Sequence, residues 1–218
     1  MKRRILWCIL CVCLASTSLF AQEPALLSRV HDTEACRKWV DGQMEKMTLK
    51  QKVGQLFIYT LQPVTNQYSK NVLRKMVDDY GVGGLLFTGG ELRKQVQMTN
   101  YAQAHASVPL MVTFDGEWGL GMRLKDTPSF PYNRVLGCIQ NDSLLYEYGK
   151  EVARQCRLIG VQINFAPVAD VDNNPNNPVI NFRSFGSDPK RVAEKVAAYV
   201  KGLEENGVMA VCKHFPGQ

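Results

Sequence analysis

The 218-residue sequence has no low-complexity run, no CxxC pair beyond residue 21, no Gly-rich phosphate loop and no basic stripe. Each gap closes off a class. The first excludes a disordered or collagen-like chain. The second argues against a zinc site. The third removes the common phosphate-binding motifs, and the fourth leaves no footprint for a nucleic-acid partner. Beyond residue 21 no apolar stretch is long enough for a transmembrane helix. Histidine is scarce, with three in all. His31 and His105 fall before or on helices and read as surface residues, which leaves His214. What is present belongs to a folded chain. The sequence is 45% hydrophobic and 21% charged, enough to bury a sizeable core. Its length fits one domain or two.

The formal net charge is +6, and Lys2, Arg3 and Arg4 supply half of it. These residues open an export signal over 1–21: a basic start, an apolar run over 5–14, then small and polar residues up to Ala21. The run is too short for a permanent span. Leu19 stands where a small residue is usual before cleavage, so a retained N-terminal anchor is the alternative. Signal removal takes away Cys8, Cys11 and Cys13. Cys36, Cys138, Cys156 and Cys212 remain, far apart, and read as buried unpaired thiols. The layout is a signal peptide over 1–21, a linker over 22–34 and one α/β domain over 35–218. The location is periplasmic, cell-surface or secreted, with no stable membrane span after signal removal.

Helical spacing over 35–47 is followed by a capping box, Thr48 with Gln51. Apolar strands are expected over 55–60, 84–88, 110–114, 161–165 and 208–213. Helices are expected between them, amphipathic over 69–80 and 142–158 and polar over 91–106, with a last one opened by Asp188 and Pro189. Leu145, Tyr148, Val152, Cys156 and Ile159 form one buried stripe. Val192, Val196, Val200 and Leu203 form another. Long loops over 116–137 and 166–187 separate these elements. Such alternation means a parallel sheet with crossover helices. Two architectures satisfy it: an open doubly wound sheet, and a (β/α)₈ barrel of which about five of eight units are present, since a whole barrel takes about 250 residues.

The chemistry lies at the strand ends, where both architectures place ligands. After the third strand come Asp115, Glu117 and, in a glycine-rich segment, Arg123. An acceptor carboxylate at the mouth suits a hydroxyl-rich ligand, and an Asp–Arg pair shaping the loop is the competing reading. After the fourth strand, Asp170, Asp172 and Asn174 alternate like the start of a calcium loop. The required Gly and distant Glu are missing, so they read as Asx turns rather than a metal site. Arg183 follows, either as an anchoring salt bridge or as a substrate clamp. After the fifth strand come Lys213 and His214. A lysine there is costly to bury unless paired, and the imidazole adds a second polar handle. Together these groups suit a sugar. Metal and cofactor are neither needed nor suggested. The set is incomplete for glycoside cleavage, which takes two carboxyl-type groups flanking the bond; Asp115 and Glu117 stand two residues apart in one segment.

Three motifs carry a resemblance. Phe114-Asp115-Gly116-Glu117 with Gly119 and Arg123 resembles the Asp-x-Glu-Gly…Arg segment of glycoside hydrolase family 3. The run from Asn164-Phe165-Ala166-Pro167-Val168-Ala169-Asp170-Val171 to Arg183-Ser184-Phe185-Gly186 is similar to that family's central signature. Lys213-His214-Phe215-Pro216-Gly217 resembles its Lys-His-Phe-Pro-Gly motif, in the form typical of the β-N-acetylglucosaminidase branch. The resemblance spans about 35–218 and implies the barrel rather than the open sheet. It implies a retaining exo-enzyme that removes terminal β-linked N-acetylglucosamine or N-acetylhexosamine, with substrate contacts at Asp115, Arg123, Arg183, Lys213 and His214. Trp118 stands where many members have Gly, and could stack on a sugar or pack the loop. Gln218 stands where the branch usually has His. The family's Asp-Ser-His acid/base loop and its nucleophilic Asp are expected beyond Gln218, along with a possible further domain. The chain by itself is therefore expected to bind a carbohydrate without cleaving it. A β-glucosidase of the same family and an inactive sugar-binding fragment are the alternatives.

Overall fold

The computed structural model describes residues 33–218. The signal peptide and most of the expected linker lie outside the described residues. Thr33 caps α1 (Glu34–Lys46), accepting from the Cys36 amide. Thr48 and Gln51 form the expected capping box on α2 (Leu49–Gly54). There follow β1 (Ile58–Leu61), α3 (Gln67–Asp78), β2 (Gly84–Phe87), α4 (Leu92–His105), β3 (Met111–Phe114), α5 (Asn133–Leu136), α6 (Ser143–Leu158), β4 (Ile163–Asn164), α7 (Pro189–Glu204) and β5 (Met209–Ala210).

The five strands form one parallel sheet in the order β1-β2-β3-β4-β5. This order decides between the two architectures. A doubly wound sheet reverses direction at a switch point. Here every strand lies beside its predecessor, so the sheet is an arc of a TIM-barrel-like wall. The apolar runs of β2 and β3 are buried almost throughout, as strands covered on both faces must be. Leu85, Phe87, Val112 and Phe114 sit at the centre of the core, with Leu73, Met98, Leu145 and Val152 from the helices.

Several boundaries differ from expectation. The strand expected over 55–60 starts later, because the Leu56 and Phe57 amides close a turn on the Val53 and Gly54 carbonyls. The strands expected over 161–165 and 208–213 contract to two residues each. The loop over 116–137 contains α5 and a 3₁₀ turn at Leu120–Met122. The α6 stripe is buried as expected. The α7 stripe is rotated. Val196 and Val200 are only half-buried, and Lys195 and Tyr199 take the buried positions. Both have a satisfied polar tip: Lys195 Nζ reaches Asp142 and the Ile139 carbonyl, and the Tyr199 hydroxyl reaches Gly116.

The expectation of four buried thiols holds for Cys156 alone. It lies on the α6 stripe, where burial pushes its thiol up to about 12. Cys138 and Cys212 are exposed and Cys36 is half-buried, because they fall outside any inward-facing stripe. His105 is exposed, as expected. Among the described residues, no helix is long and apolar enough to cross a membrane, and no cluster of ligating side chains is arranged to hold a metal.

Helices α6 and α7 cross where both present glycine. A Cβ on Gly202 would lie 2.3 Å from the Tyr146 carbonyl oxygen, and one on Gly149 would lie 2.5 Å from that of Tyr199. This close crossing brings the Tyr148 and Tyr199 rings to 4.8 Å. Both hydroxyls then point into the loop after β3. Tyr148 donates to the Glu117 carbonyl (3.1 Å) and Tyr199 to the Gly116 carbonyl (3.2 Å).

Candidate functional site

The loop after β3 is pinned before any side-chain chemistry begins. Asn164, fully buried on β4, accepts from the Gly116 amide (2.9 Å) and donates to the Gly116 carbonyl (3.2 Å). With the two tyrosines this fixes the backbone that carries Asp115 and Glu117. Gly119 closes the turn at a positive φ of 82°, where a Cβ would press on the Phe130 ring at 2.7 Å.

Asp115 leaves the end of β3 and accepts from two cations. Arg123 Nη2 lies 2.8 Å from Oδ2, and Lys213 Nζ lies 2.8 Å from Oδ1. Burial pushes the Asp115 carboxyl up, but the hydrogen bonds and charges of Lys213 and Arg123 outweigh it. The group is held below the ordinary carboxylate range. The Asp–Arg pair read from the sequence is therefore present, and Lys213 joins it. Arg123 Nε is buried and, among the described residues, has no partner.

Glu117 is fully buried and binds Arg183 through a two-pronged contact. Arg183 Nε donates to Oε2 (3.0 Å) and Nη2 to Oε1 (2.8 Å). Lys213 Nζ adds a third contact at 2.9 Å. Burial raises the Glu117 carboxyl, while Arg183 and Lys213 bring it below its ordinary value. Arg183 also donates Nη1 to the Val179 carbonyl (3.2 Å), and its own carbonyl accepts from Asn133 Nδ2 (2.8 Å). Three of its five N–H groups are thus engaged within the protein. This geometry supports the anchoring reading of Arg183.

The residues after β4 do more than form Asx turns. Asn174 and Asn177 do accept from local backbone amides. Asp170 and Asp172 instead reach across the site, the latter to Arg134. Asp170 accepts from the His214 amide (3.0 Å), from His214 Nδ1 (2.7 Å) and from the Gln218 amide (2.8 Å). Burial raises its carboxyl, and the contacts from His214 and Gln218 more than compensate, holding it low.

The structure therefore brings Asp115, Arg123, Arg183 and Lys213 into one ion-paired network, with His214 beside Lys213 in sequence and held by Asp170. Glu117, Asp170, Asn133 and Asn164 organise this network, and sequence reasoning had not assigned them to it. Glu117 and Asp170 had a legible signal, being carboxylates at strand ends. Asn133 and Asn164 had none. Trp118 packs edge-on against Tyr132, ring centroids 4.8 Å apart, and Tyr132 in turn meets Phe182 at 4.5 Å.

Residues 48–218 match the model of the glycosyl hydrolase family 3 N terminal domain. The chain belongs to glycosyl hydrolase family 3. It is 33% identical over 158 residues to the beta-hexosaminidase A of Pseudoalteromonas piscicida, covering 66% of this chain and 26% of that protein. It is 29% identical over 179 residues to a beta-N-acetylglucosaminidase/beta-glucosidase of Cellulomonas fimi, covering 82% and 31%. Among solved structures, the family 3 beta-N-acetylglucosaminidase of Paenibacillus sp. str. FPU-7 superposes with a TM-score of 0.70 at 33% identity, covering 78% of this chain and 34% of that one. The chain thus spans about a quarter to a third of the length of these relatives.

Proposed function

We propose that this chain forms the sugar-binding wall of an exported, retaining, exo-acting β-N-acetylhexosaminidase. Asp115, Arg123, Lys213 and His214 contact the terminal non-reducing N-acetylglucosamine, and Arg183 holds that wall through Glu117. Residues 35–218 make up the N-terminal barrel domain, preceded by the signal peptide and linker. The observation that carries this reading is the double pairing of Asp115 with Arg123 and Lys213 at the strand ends. It leaves a fixed acceptor flanked by fixed donors, which matches the two-way hydrogen bonding of ring hydroxyls. Contacts of this kind that tighten as the oxocarbenium-like state forms lower the barrier to cleavage.

Neither carboxylate here suits proton transfer to a leaving group. A general acid needs a raised pKa, and Asp115 and Glu117 are both held low by cations. Acid/base and nucleophile are supplied from outside residues 33–218. The names of the relatives support the hexosaminidase reading, and the dual name of the Cellulomonas protein keeps a glucosidase as the second reading. Parallel titrations of the chain with N-acetylglucosamine and glucose separate them. The proposal expects preferential binding of N-acetylglucosamine and no turnover of an aryl N-acetylglucosaminide by these residues. Preference for glucose supports the second reading, and steady turnover contradicts the placement of the catalytic groups.

A further inference from the structure

Asp170 is the most heavily engaged carboxylate that the proposed function leaves without a role. Its side chain is 1% exposed, and it spans from the loop after β4 to the segment after β5. Its Oδ1 takes the Gln218 amide, while its Oδ2 takes both the amide and the ring Nδ1 of His214. Ser184, fully buried, fixes the Asp170 backbone by donating to its carbonyl at 2.6 Å.

A carboxylate can only accept hydrogen bonds. The 2.7 Å contact therefore requires that His214 Nδ1 carry the proton. In the neutral ring Nε2 is then a bare acceptor. Among the described residues Nε2 has no partner, and the His214 side chain is 29% exposed. The neighbouring Lys213 can only donate. A sugar hydroxyl both donates and accepts, so one acceptor and one donor on adjacent residues can serve adjacent hydroxyls.

We propose that Asp170 is a positioning residue of this site. It holds His214 in the Nδ1–H tautomer, so that Nε2 accepts a hydrogen bond from a ligand hydroxyl. Asp170 itself does not touch the ligand. The idea rests on the sugar-site reading for the identity of the ligand, but the tautomer is measurable without any ligand.

The test is the ring ¹⁵N spectrum of His214 in the 218-residue chain at a pH where the ring is neutral. The resonance is assigned by its loss in His214→Gln. The expected result is a protonated Nδ1 and an unprotonated Nε2, with N-acetylglucosamine shifting mainly the Nε2 signal. In Asp170→Asn the side chain can donate to Nδ1. Population should then move toward the Nε2–H tautomer, and N-acetylglucosamine affinity should fall about tenfold. An Nε2–H tautomer in the unsubstituted chain overturns the proposal, and this result does not depend on the variant folding. Weaker binding in Asp170→Asn with the tautomer unchanged also overturns it, because the role would then be structural. If the unsubstituted chain binds no N-acetylglucosamine yet shows the Nδ1–H tautomer, the sugar reading fails and the positioning of His214 by Asp170 stands.

Discussion

Lys213 Nζ lies 2.8 Å from Asp115 Oδ1 although the two residues are 98 positions apart. The same nitrogen is 2.9 Å from Glu117 Oε1. One ammonium thus ties the end of β5 to two carboxylates of the loop after β3. Replacing it with an uncharged side chain leaves two carboxylates short of a partner. Lys213→Met should cost roughly 3 kcal/mol of stability, the lower end for breaking a buried pair. The lower end applies because Asp115 keeps Arg123 and Glu117 keeps Arg183. Urea denaturation of the two chains measures it.

Asp115, Glu117 and Asp170 are all held below the ordinary carboxylate range in the folded chain. Between the folded and unfolded values the unfolded chain binds more protons, so stability rises with pH there. The contribution is complete above the unfolded value of about 4 and is lost as pH falls through the lower folded values. The denaturation midpoint should stay level from neutral pH down to about 5 and drop below about 4. In Lys213→Met the drop below about pH 4 should be smaller, since losing one of the cations that hold Asp115 and Glu117 low brings their folded values closer to the unfolded one.

Gly202 lets α7 approach α6 closely enough for Tyr148 to reach the Glu117 carbonyl and Tyr199 the Gly116 carbonyl. A methyl group there meets the backbone oxygen of Tyr146 at 2.3 Å, and backbone cannot yield as a flexible side chain can. Gly202→Ala should destabilise the chain by roughly 1–3 kcal/mol. Because it displaces the tyrosines, it should also weaken N-acetylglucosamine binding from a distance. Calorimetry and thermal melting on the same sample check both effects.

Thiol accessibility gives an independent check on the helix packing. Cys138 is exposed, whereas Cys156 is buried with its thiol pushed up to about 12. Reactivity requires the thiolate and access to it. Alkylation of the native chain followed by peptide mapping should label Cys138 and spare Cys156. Labelling of Cys156 should appear only on unfolding.

The strand–helix alternation was legible because each element has a short-range signature. The Thr48–Gln51 capping box, the Asp188–Pro189 helix start and the α6 stripe appear where the sequence places them. The α7 stripe was misplaced by polar residues. Periodicity scores Lys195 and Tyr199 as outward-facing, but long side chains with a satisfied tip can be buried. The strands after 160 are short because their pairing is interrupted: the β4–β5 ladder covers two residues on each side and resumes only as the isolated Val168–Lys213 bridge, where the Lys213 amide goes to the Pro167 carbonyl. The charged residues of the site were legible as types at strand ends. Their pairing was not. Nothing local in the sequence tells Asp170 to choose His214, 44 residues on, over the Asx turns open to it. The same holds for Glu117 and Arg183, 66 residues apart.

The central claim is that the paired strand-end residues form a sugar site built around Asp115. Calorimetric titration of the 218-residue chain with N-acetylglucosamine, beside Asp115→Ala, tests it most directly. The account predicts saturable binding by the unsubstituted chain and a loss of at least tenfold in the variant, about 1.4 kcal/mol. Equal affinity in the two chains would contradict it.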